Sequence, residues 1–178
     1  MERTQHDLVQ GSPEWHQFRA THFGASEASA VRGRSPYKTR GQLLNEKHTG
    51  IAQEVDAATQ RVFDRGHAIE PLARALAEKV IGKSLYPTTW SFGKLSASCD
   101  GLTLDDSIAW ECKQFNAADY ATVSAGELPE KHIDQCQQVL YVTGADNLLF
   151  TISDGTEENT AHVWVMPDES EQQQIVAA

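Results

Sequence analysis

Apolar residues recur with two different periods along this chain, and the change of period separates helical segments from strands. From Glu54 to Ile81 they recur every three or four residues, which predicts one long amphipathic helix, interrupted at Gly66. The predicted buried stripe of this helix consists of Phe63, Ile69, Leu72, Leu76 and Val80. The middle of the chain instead carries short apolar runs that are typical of strands.

Shorter helices are predicted from residues that favour helix ends. Ser12-Pro13 combines a cap with a proline in the first turn, and Thr39 with Gln42 forms a capping box for a helix that Gly50 closes. The predicted ranges are Ser12–His22, Ser26–Arg32, Thr39–His48, Asn116–Ala125 and Pro129–Thr143.

The strand pattern completes a single α/β domain over residues 1–178. No linker, repeat or low-complexity block divides the chain, and residues 168–178 are predicted to be the start of a helix that is cut short. A turn over Gly101–Ser107 is predicted to join the second strand to the third. The predicted strands are Leu85–Phe92, Leu95–Asp100, Ile108–Phe115, Leu148–Ser153 and Ala161–Met166.

Three residues of complementary chemistry fall on the second and third of these strands. Asp100 ends one strand, and Glu111 and Lys113 lie two residues apart on the next, so these two share a face. Carboxylates together with the backbone carbonyl of Cys112 suit Mg²⁺ or Mn²⁺, and a lysine beside the metal can orient or deprotonate a water. The alternative is an Asp-Gly turn beside a chance Glu-x-Lys on a solvated strand, and these residues alone leave both open.

Composition restricts the setting and the partners. The three cysteines lack any Cys-x-x-Cys spacing, which argues against a disulfide framework, a zinc site or an iron–sulfur cluster and predicts a reducing cytoplasm. No segment resembles a signal peptide or a membrane span, so we expect a soluble protein with no membrane partner. The net charge of −10 opposes nucleic-acid binding, but residues 1–50 carry seven Lys and Arg against five Asp and Glu, which predicts a local basic rim.

Six short motifs add a resemblance to a known family. They occur in the order and rough spacing found in lambda exonuclease and related viral alkaline exonucleases, and the resemblance covers about Glu14 to Phe150. It implies a PD-(D/E)XK restriction-endonuclease-like core, in which a central mixed sheet is flanked by helices. Cys99 stands where the name of this fold has proline, a position without chemistry of its own. The motifs are Glu14-Trp15-His16-Gln17-Phe18-Arg19, Gly24-Ala25-Ser26-Glu27, Arg65-Gly66-His67-Ala68-Ile69-Glu70, Ser98-Cys99-Asp100-Gly101-Leu102, Glu111-Cys112-Lys113 and Gln135-Cys136-Gln137.

The same resemblance implies roles for residues that look ordinary by themselves. It makes Glu70 a third acidic contributor to the metal site, directly or through water, and it assigns Gln137, with Gln135 as the less favoured candidate, to hydrogen bonding in the active site. The resulting catalytic set is Asp100, Glu111, Lys113, Glu70 and Gln137, with Mg²⁺ as cofactor, two ions per site and Mn²⁺ able to substitute.

A second set of residues is implied to bind DNA. The resemblance places Arg19, Ser26 and Ser98 in a pocket for the 5′-terminal phosphate, which arginine and hydroxyl groups can hold by charge-assisted hydrogen bonds. Arg32 and Arg34 are predicted to meet DNA from a loop, with an exposed basic loop of no specific role as the alternative.

The implied function is a Mg²⁺-dependent 5′-to-3′ exonuclease that degrades the 5′-ended strand of linear double-stranded DNA. The implied setting is phage-type recombination in the cytoplasm of a bacterial host, with a homotrimeric ring around DNA and a phage single-strand annealing protein as partner. The alternatives are a restriction-type or Cas4-like nuclease, although the latter normally has four cluster cysteines, and a DNA-end-binding relative that has lost catalysis.

Overall fold

The computed structural model describes residues 2–50 and 57–178. The predicted helix start at Glu54 lies outside these ranges, and the predicted burial of Phe63 concerns a side chain that lies outside the described part of the structure. The strands are β1 Arg3–His6, β2 Phe23–Gly24, β3 Tyr86–Phe92, β4 Leu95–Leu102, β5 Ile108–Gln114, β6 Asn147–Ser153 and β7 Ala161–Val165. The helices are α1 Pro13–Thr21, α2 Ala28–Val31, α3 Arg40–Thr49, α4 Ala57–Ile81, α5 Ala117–Ser124, α6 Ile133–Thr143 and α7 Glu169–Ala177.

One mixed sheet forms the centre of the molecule, with strands in the order β1-β3-β4-β5-β6-β7. β5 and β6 are parallel, whereas the other neighbours in this order are antiparallel. β4 and β5 pair only where Gly101 and Leu102 face Trp110 and Ala109, and they separate beyond that point. The short β2 pairs with the opposite end of β4, in parallel, at Leu95 and Ser96.

Helices cover both faces of the sheet. On one face, Ala73 and Ala77 of α4 pack with Trp110 and Leu149. The other face carries the larger core, in which residues of α5 and α6 pack on β4, β5 and β6. This arrangement confirms the predicted α/β fold with a central mixed sheet, and it leaves the gap between β4 and β5 open as a cleft.

The structure corrects the prediction for α4. The helix runs without interruption through Gly66. Leu72 and Val80, two members of the predicted buried stripe, are 58% and 49% exposed, whereas Ala73 and Ala77 are fully buried. The alanine side chains lie at the contact between α4 and the sheet because α4 packs closely on Trp110. The larger side chains of Leu72 and Val80 remain exposed to solvent.

Two local predictions are also wrong in detail. Ser26 does not cap a helix, because it lies inside a single 3₁₀ turn over Ala25–Glu27 whose N-cap is Gly24. Gly101 does not begin a turn, because β4 continues through it to Leu102. The Ser12 cap, the Thr39–Gln42 capping box and the Asn116 cap are confirmed. β1 and β2 were not predicted.

Candidate active site

A cleft of about 780 Å³ opens where β4 and β5 separate. Within it, the structure brings together most of the site residues predicted from the sequence, which come from separate stretches of the chain between Arg19 and Gln135. Those that line it are Arg19, Ser26, Glu70, Ser98, Asp100, Glu111, Cys112, Lys113 and Gln135.

Asp100 and Glu111 face this cleft from the two separating strands. The half-buried Asp100 accepts a hydrogen bond at Oδ2 from the backbone N–H of Cys112 at 2.8 Å, which bridges the gap between β4 and β5. Glu111 is only 2% exposed. The strand pairing breaks at this point, so the carboxylate of Asp100 takes over a backbone N–H that a regular sheet would have paired.

Lys113 and Gln135 hold one oxygen of Glu111. Lys113 Nζ lies 2.7 Å from Glu111 Oε1, and Gln135 Nε2 donates to the same oxygen at 2.5 Å. The Glu111–Lys113 contact agrees with the expected alternation of side chains along β5. The other oxygen, Oε2, is buried and has no hydrogen-bond partner.

The electrostatics of the site reflect two buried carboxylates close together. Burial raises the pKa of Asp100 to about 6, although the charge of Lys113 opposes this change. Burial and the charge of Asp100 raise the pKa of Glu111 to about 7. Burial alone would lower the pKa of Lys113, but Glu111 and Asp100 outweigh it and the pKa is raised. Groups shifted in this way are typical of functional sites.

Glu70 reaches the cleft from α4 and is held by Arg74. Arg74 Nη2 donates to Glu70 Oε1 at 2.6 Å and to the backbone oxygen of Asp100 at 3.2 Å. The arginine therefore ties α4 to β4 beside the carboxylate pair. Sequence reasoning missed Arg74, although its position four residues after Glu70 is the spacing at which helical ion pairs form.

A divalent cation fits this group of donors. In residues 2–50 and 57–178, no three His, Cys, Asp or Glu side chains form a metal cage by themselves. Mg²⁺, however, is commonly bound by one or two carboxylates, with waters and substrate phosphate oxygens completing its shell. The buried, unpartnered Oε2 of Glu111 and the repulsion between Asp100 and Glu111 both favour a cation at this place.

Arg19, Ser26 and Ser98 meet at the other part of the cleft. Arg19 Nη2 lies 3.4 Å from Ser26 Oγ, and its guanidinium stacks on the ring of Trp15 with 4.8 Å to the centroid. Trp15 Nε1 donates to Ser98 Oγ at 2.8 Å. The indole thus links the arginine on α1 to the serine on β4, a role that the sequence did not indicate even though Trp15 belongs to one of the motifs.

Gln137 does not reach this cleft. Its amide donates to Met166 O at 2.9 Å and accepts at Oε1 from the backbone N–H of Asp168 at 2.8 Å, so it anchors the segment that leads into α7. The active-site hydrogen bond predicted for Gln137 has to be reassigned to Gln135, which contacts Glu111.

Arg32 and Arg34 also lie apart from the lining of the cleft. Both bind Asp134 and Glu171, and Arg32 also binds Gln174, so they join the chain after α2 to α6 and α7. The Arg32 side chain is only 7% exposed, and its charge is paired with Asp134 and Glu171 inside the fold. Arg34, with 43% of its side chain exposed, keeps a surface that DNA could contact, and its contact with DNA stays a prediction.

Solved structures of exonucleases share this fold. LHK-Exo in complex with dAMP superposes with a TM-score of 0.75 at 22% identity, over 93% of this chain and 88% of that one. LHK-Exo from Laribacter hongkongensis, an alkaline exonuclease, gives 0.72 at 23% identity over 93% and 90%. A phage-related exonuclease from Haemophilus somnus 129PT gives 0.65 at 14% identity over 90% and 92%. The chain therefore shares the fold of these exonucleases, a central mixed sheet flanked by helices.

The family follows from the sequence. The model of the YqaJ-like viral recombinase domain matches residues 14–146, which is most of the chain, and the protein belongs to this family. No protein with a curated description matches it. None of the helices in the two described ranges is both long enough and apolar enough to cross a membrane.

Proposed function

We propose that this protein is a Mg²⁺-dependent 5′-to-3′ exonuclease that degrades the 5′-ended strand of linear double-stranded DNA. The observation that carries the proposal is the convergence of Asp100, Glu111 and Lys113 in one cleft with Arg19 and Ser98. The first three residues suit phosphodiester hydrolysis, and the last two suit recognition of a terminal phosphate. Membership of a viral recombinase family and the exonuclease fold both support this assignment.

The catalytic group would hold Mg²⁺ and position a water. Asp100, Glu111 and the carbonyl of Cys112 would be ligands, and Glu70 would contribute directly or through water. When bound there, Mg²⁺ supplies Lewis acidity toward the phosphate and toward water, and Mn²⁺ can supply the same. Lys113 holds Glu111 in place and presents its ammonium where charge develops on the phosphate. Gln135 fixes the same carboxylate from α6.

The reaction sets the direction of digestion. A water oxygen bonds to phosphorus, the bond from phosphorus to the 3′ oxygen of the first nucleotide breaks, and that oxygen takes a proton. A 5′-mononucleotide leaves, and a second water cleaves the next bond in the same way. Because each cut must begin from a strand end, a pocket for the 5′ phosphate formed by Arg19, Ser26 and Ser98 would select the 5′-ended strand.

Two further parts of the proposal rest on the family. A homotrimeric ring would keep the enzyme on its DNA between cuts, and a phage single-strand annealing protein would take up the 3′-ended strand that remains. The viral recombinase family to which the chain belongs supports the annealing partner, since a recombination pathway requires single strands to be exposed and then annealed. The ring is proposed from the resemblance to lambda exonuclease and its relatives alone.

The test uses linear duplexes labelled at the 3′ end of one strand or the other, with 5′-phosphate or 5′-hydroxyl ends. With Mg²⁺, the 5′-ended strand should shorten into mononucleotides, and EDTA should stop the reaction. Lys113→Ala should reduce the rate by roughly a thousandfold or more while the fold is retained. Lys83→Ala is the matched control. Lys83 does not line the cleft, and it forms an exposed ion pair with Asp105 in the turn between β4 and β5.

Other outcomes would identify the alternatives. Cleavage of closed circular DNA would indicate a restriction-type nuclease. Tight binding of DNA ends without digestion in Mg²⁺ or Mn²⁺ would indicate an end-binding relative. Wild-type turnover in Lys113→Ala would contradict the mechanism.

A further inference from the structure

Two charged residues lie directly behind Arg19 without lining the cleft. Glu27 follows Ser26 in the 3₁₀ turn, and Lys47 comes from the last turn of α3. Their side chains are only 14% and 15% exposed, so neither is placed to meet DNA directly. The assignment of Arg19 and Ser26 to a phosphate pocket leaves both residues without a role.

Glu27 binds three donors with one carboxylate. Its Oε1 lies 2.9 Å from Arg19 Nη2, and its Oε2 lies 2.9 Å from Lys47 Nζ and accepts from the Gly24 backbone N–H at 2.8 Å. The guanidinium is therefore held from three sides, by Glu27, by Ser26 and by stacking on Trp15. Such a group has little freedom to leave the cleft.

Lys47 also holds the backbone of Arg19. Its Nζ donates to Arg19 O at 2.7 Å in the last turn of α1, and the same oxygen accepts a longer hydrogen bond from the backbone N–H of His22 at 3.4 Å. A cation at the C-terminal end of a helix is further favoured by the helix dipole. Lys47 therefore contacts both the backbone of Arg19 and the carboxylate that holds the Arg19 guanidinium.

The charges of the three residues decide what the pocket can bind. Arg19 and Glu27 alone form a neutral pair, which attracts a phosphate dianion weakly. Lys47 neutralises Glu27 and leaves the group with one net positive charge, and the Arg19 end of the group is the part that faces the cleft. Burial strengthens this effect because partly buried charges are poorly screened.

We propose that Lys47, acting through Glu27, positions Arg19 and keeps the pocket positively charged, and so sets the preference for 5′-phosphorylated DNA ends. This inference rests on the function proposed above, because it concerns the same cleft. Lys47 and Glu27 are positioning residues in it, and neither touches the substrate.

The experiment measures binding of two hairpin duplexes that differ only in a 5′-phosphate or 5′-hydroxyl end, by fluorescence anisotropy in EDTA. The measured quantity is the ratio of the two dissociation constants, which a general loss of stability does not change. Lys47→Gln keeps a hydrogen-bond donor but removes the charge, and it should reduce the preference for the phosphate by roughly tenfold. Lys47→Arg should restore it.

Two controls complete the design. Lys38→Gln removes another lysine paired with a glutamate of α3, Glu46, away from the cleft, and it should leave the ratio unchanged. Arg19→Ala should abolish the preference, and Lys47→Gln should have no further effect in that background, because contacting residues that act together are not additive.

The outcomes separate the inference from the function on which it rests. If the wild type shows no preference for a 5′ phosphate, the phosphate pocket itself is wrong. If the wild type and Arg19→Ala behave as expected but Lys47→Gln keeps the full preference, only the role of Lys47 is overturned. A lower melting temperature with an unchanged ratio would mean that Lys47 merely fastens α3 to α1.

Discussion

At the scale of single residues, Glu111 is the most constrained group in the site. One of its oxygens is shared by Lys113 and Gln135, and the other is buried without a partner. A buried carboxylate that is incompletely paired costs stability, and folded proteins retain such groups where function requires them. Its raised pKa reflects that cost.

The first prediction uses this pKa. In the metal-free protein the pKa of Glu111 rises from the ordinary 4.5 to about 7. Between these values the folded state keeps a proton that the unfolded state has lost, so this group lowers the free energy of unfolding as pH rises through the window. Glu111→Gln cannot ionise. In EDTA, its melting temperature should therefore exceed that of the wild type by more at pH 8 than at pH 5.

The same melts with Mg²⁺ test the metal site. Mg²⁺ at pH 8 should raise the melting temperature of the wild type and should have a much smaller effect on Glu111→Gln, since ligands that bind only the folded state stabilise it. A difference between the two proteins that is independent of both pH and Mg²⁺ would contradict the assignment of Glu111.

The second prediction separates the two glutamines of α6. Gln135→Ala should lower turnover by roughly tenfold to a hundredfold with little change in stability, because it removes a partner that orients a ligand carboxylate. Gln137→Ala should instead cost about 1–3 kcal/mol of unfolding free energy by removing the two hydrogen bonds that the buried Gln137 side chain makes to the backbone, with the chemistry retained. Digestion rates and thermal melts on both variants check this, and the reverse pattern would restore the active-site role of Gln137.

At the scale of elements, the separation of β4 from β5 creates the site. β2 pairs with β4 at the end where β5 has departed, and Gln138 of α6 fastens it. The Gln138 amide donates to Phe23 O at 2.8 Å and to Ser96 O at 2.9 Å. β2 therefore borders the cleft at Gly24, and Ser98 and Asp100 lie on β4 between its pairing with β2 and its pairing with β5.

Gly101 allows the strands to meet where they do, and this is the third prediction. A Cβ atom at this position would lie 2.9 Å from Leu85 Cβ and 3.2 Å from Trp110 Cε3, so the packing around it would have to move. Gly101→Ala should cost about 1–3 kcal/mol, which is a fall of about 2–12 °C in melting temperature for a domain of this size.

The control for Gly101→Ala is Gly41→Ala in α3, where a Cβ atom would meet nothing within 4 Å. That change should be neutral or stabilising by about 0.5–1 kcal/mol, because alanine favours helix. Equal melting temperatures for the two variants would show that the close approach at Gly101 is not required.

At the scale of the whole molecule, charge is unevenly placed. Residues 154–178 hold six acidic residues and no Lys or Arg. One of these acids, Glu171, pairs with Arg32 and Arg34, so the basic cluster expected to face DNA is partly neutralised within the fold. The cations that remain in the cleft, Arg19 and Lys113, are therefore the expected points of attraction for a phosphate backbone.

The fourth prediction concerns assembly. If the proposed ring forms, light scattering should report three times the chain mass of 19.6 kDa. The trimer should degrade long duplexes with few dissociations, which a trap of excess unlabelled DNA measures. A monomer at micromolar concentration would remove the ring and its explanation of processivity.

The sequence by itself determined the features that depend on near neighbours. Caps such as Ser12 and Thr39 act within four residues, and the alternation of a strand places Glu111 beside Lys113, so local rules suffice. The resemblance further indicated that Glu70 and Asp100 belong to the same site, and both line the cleft.

Only the tertiary structure decided which distant groups meet. Gln135 and Gln137 point about 160° apart on one helix, so the rotation of α6 on the sheet selects the one that reaches Glu111. Similarly, the pairing of Arg32 with Asp134 and Glu171, and the place of Lys47 behind Arg19, depend on how helices remote in sequence pack. These contacts follow from the close packing of the whole core, which no local pattern specifies.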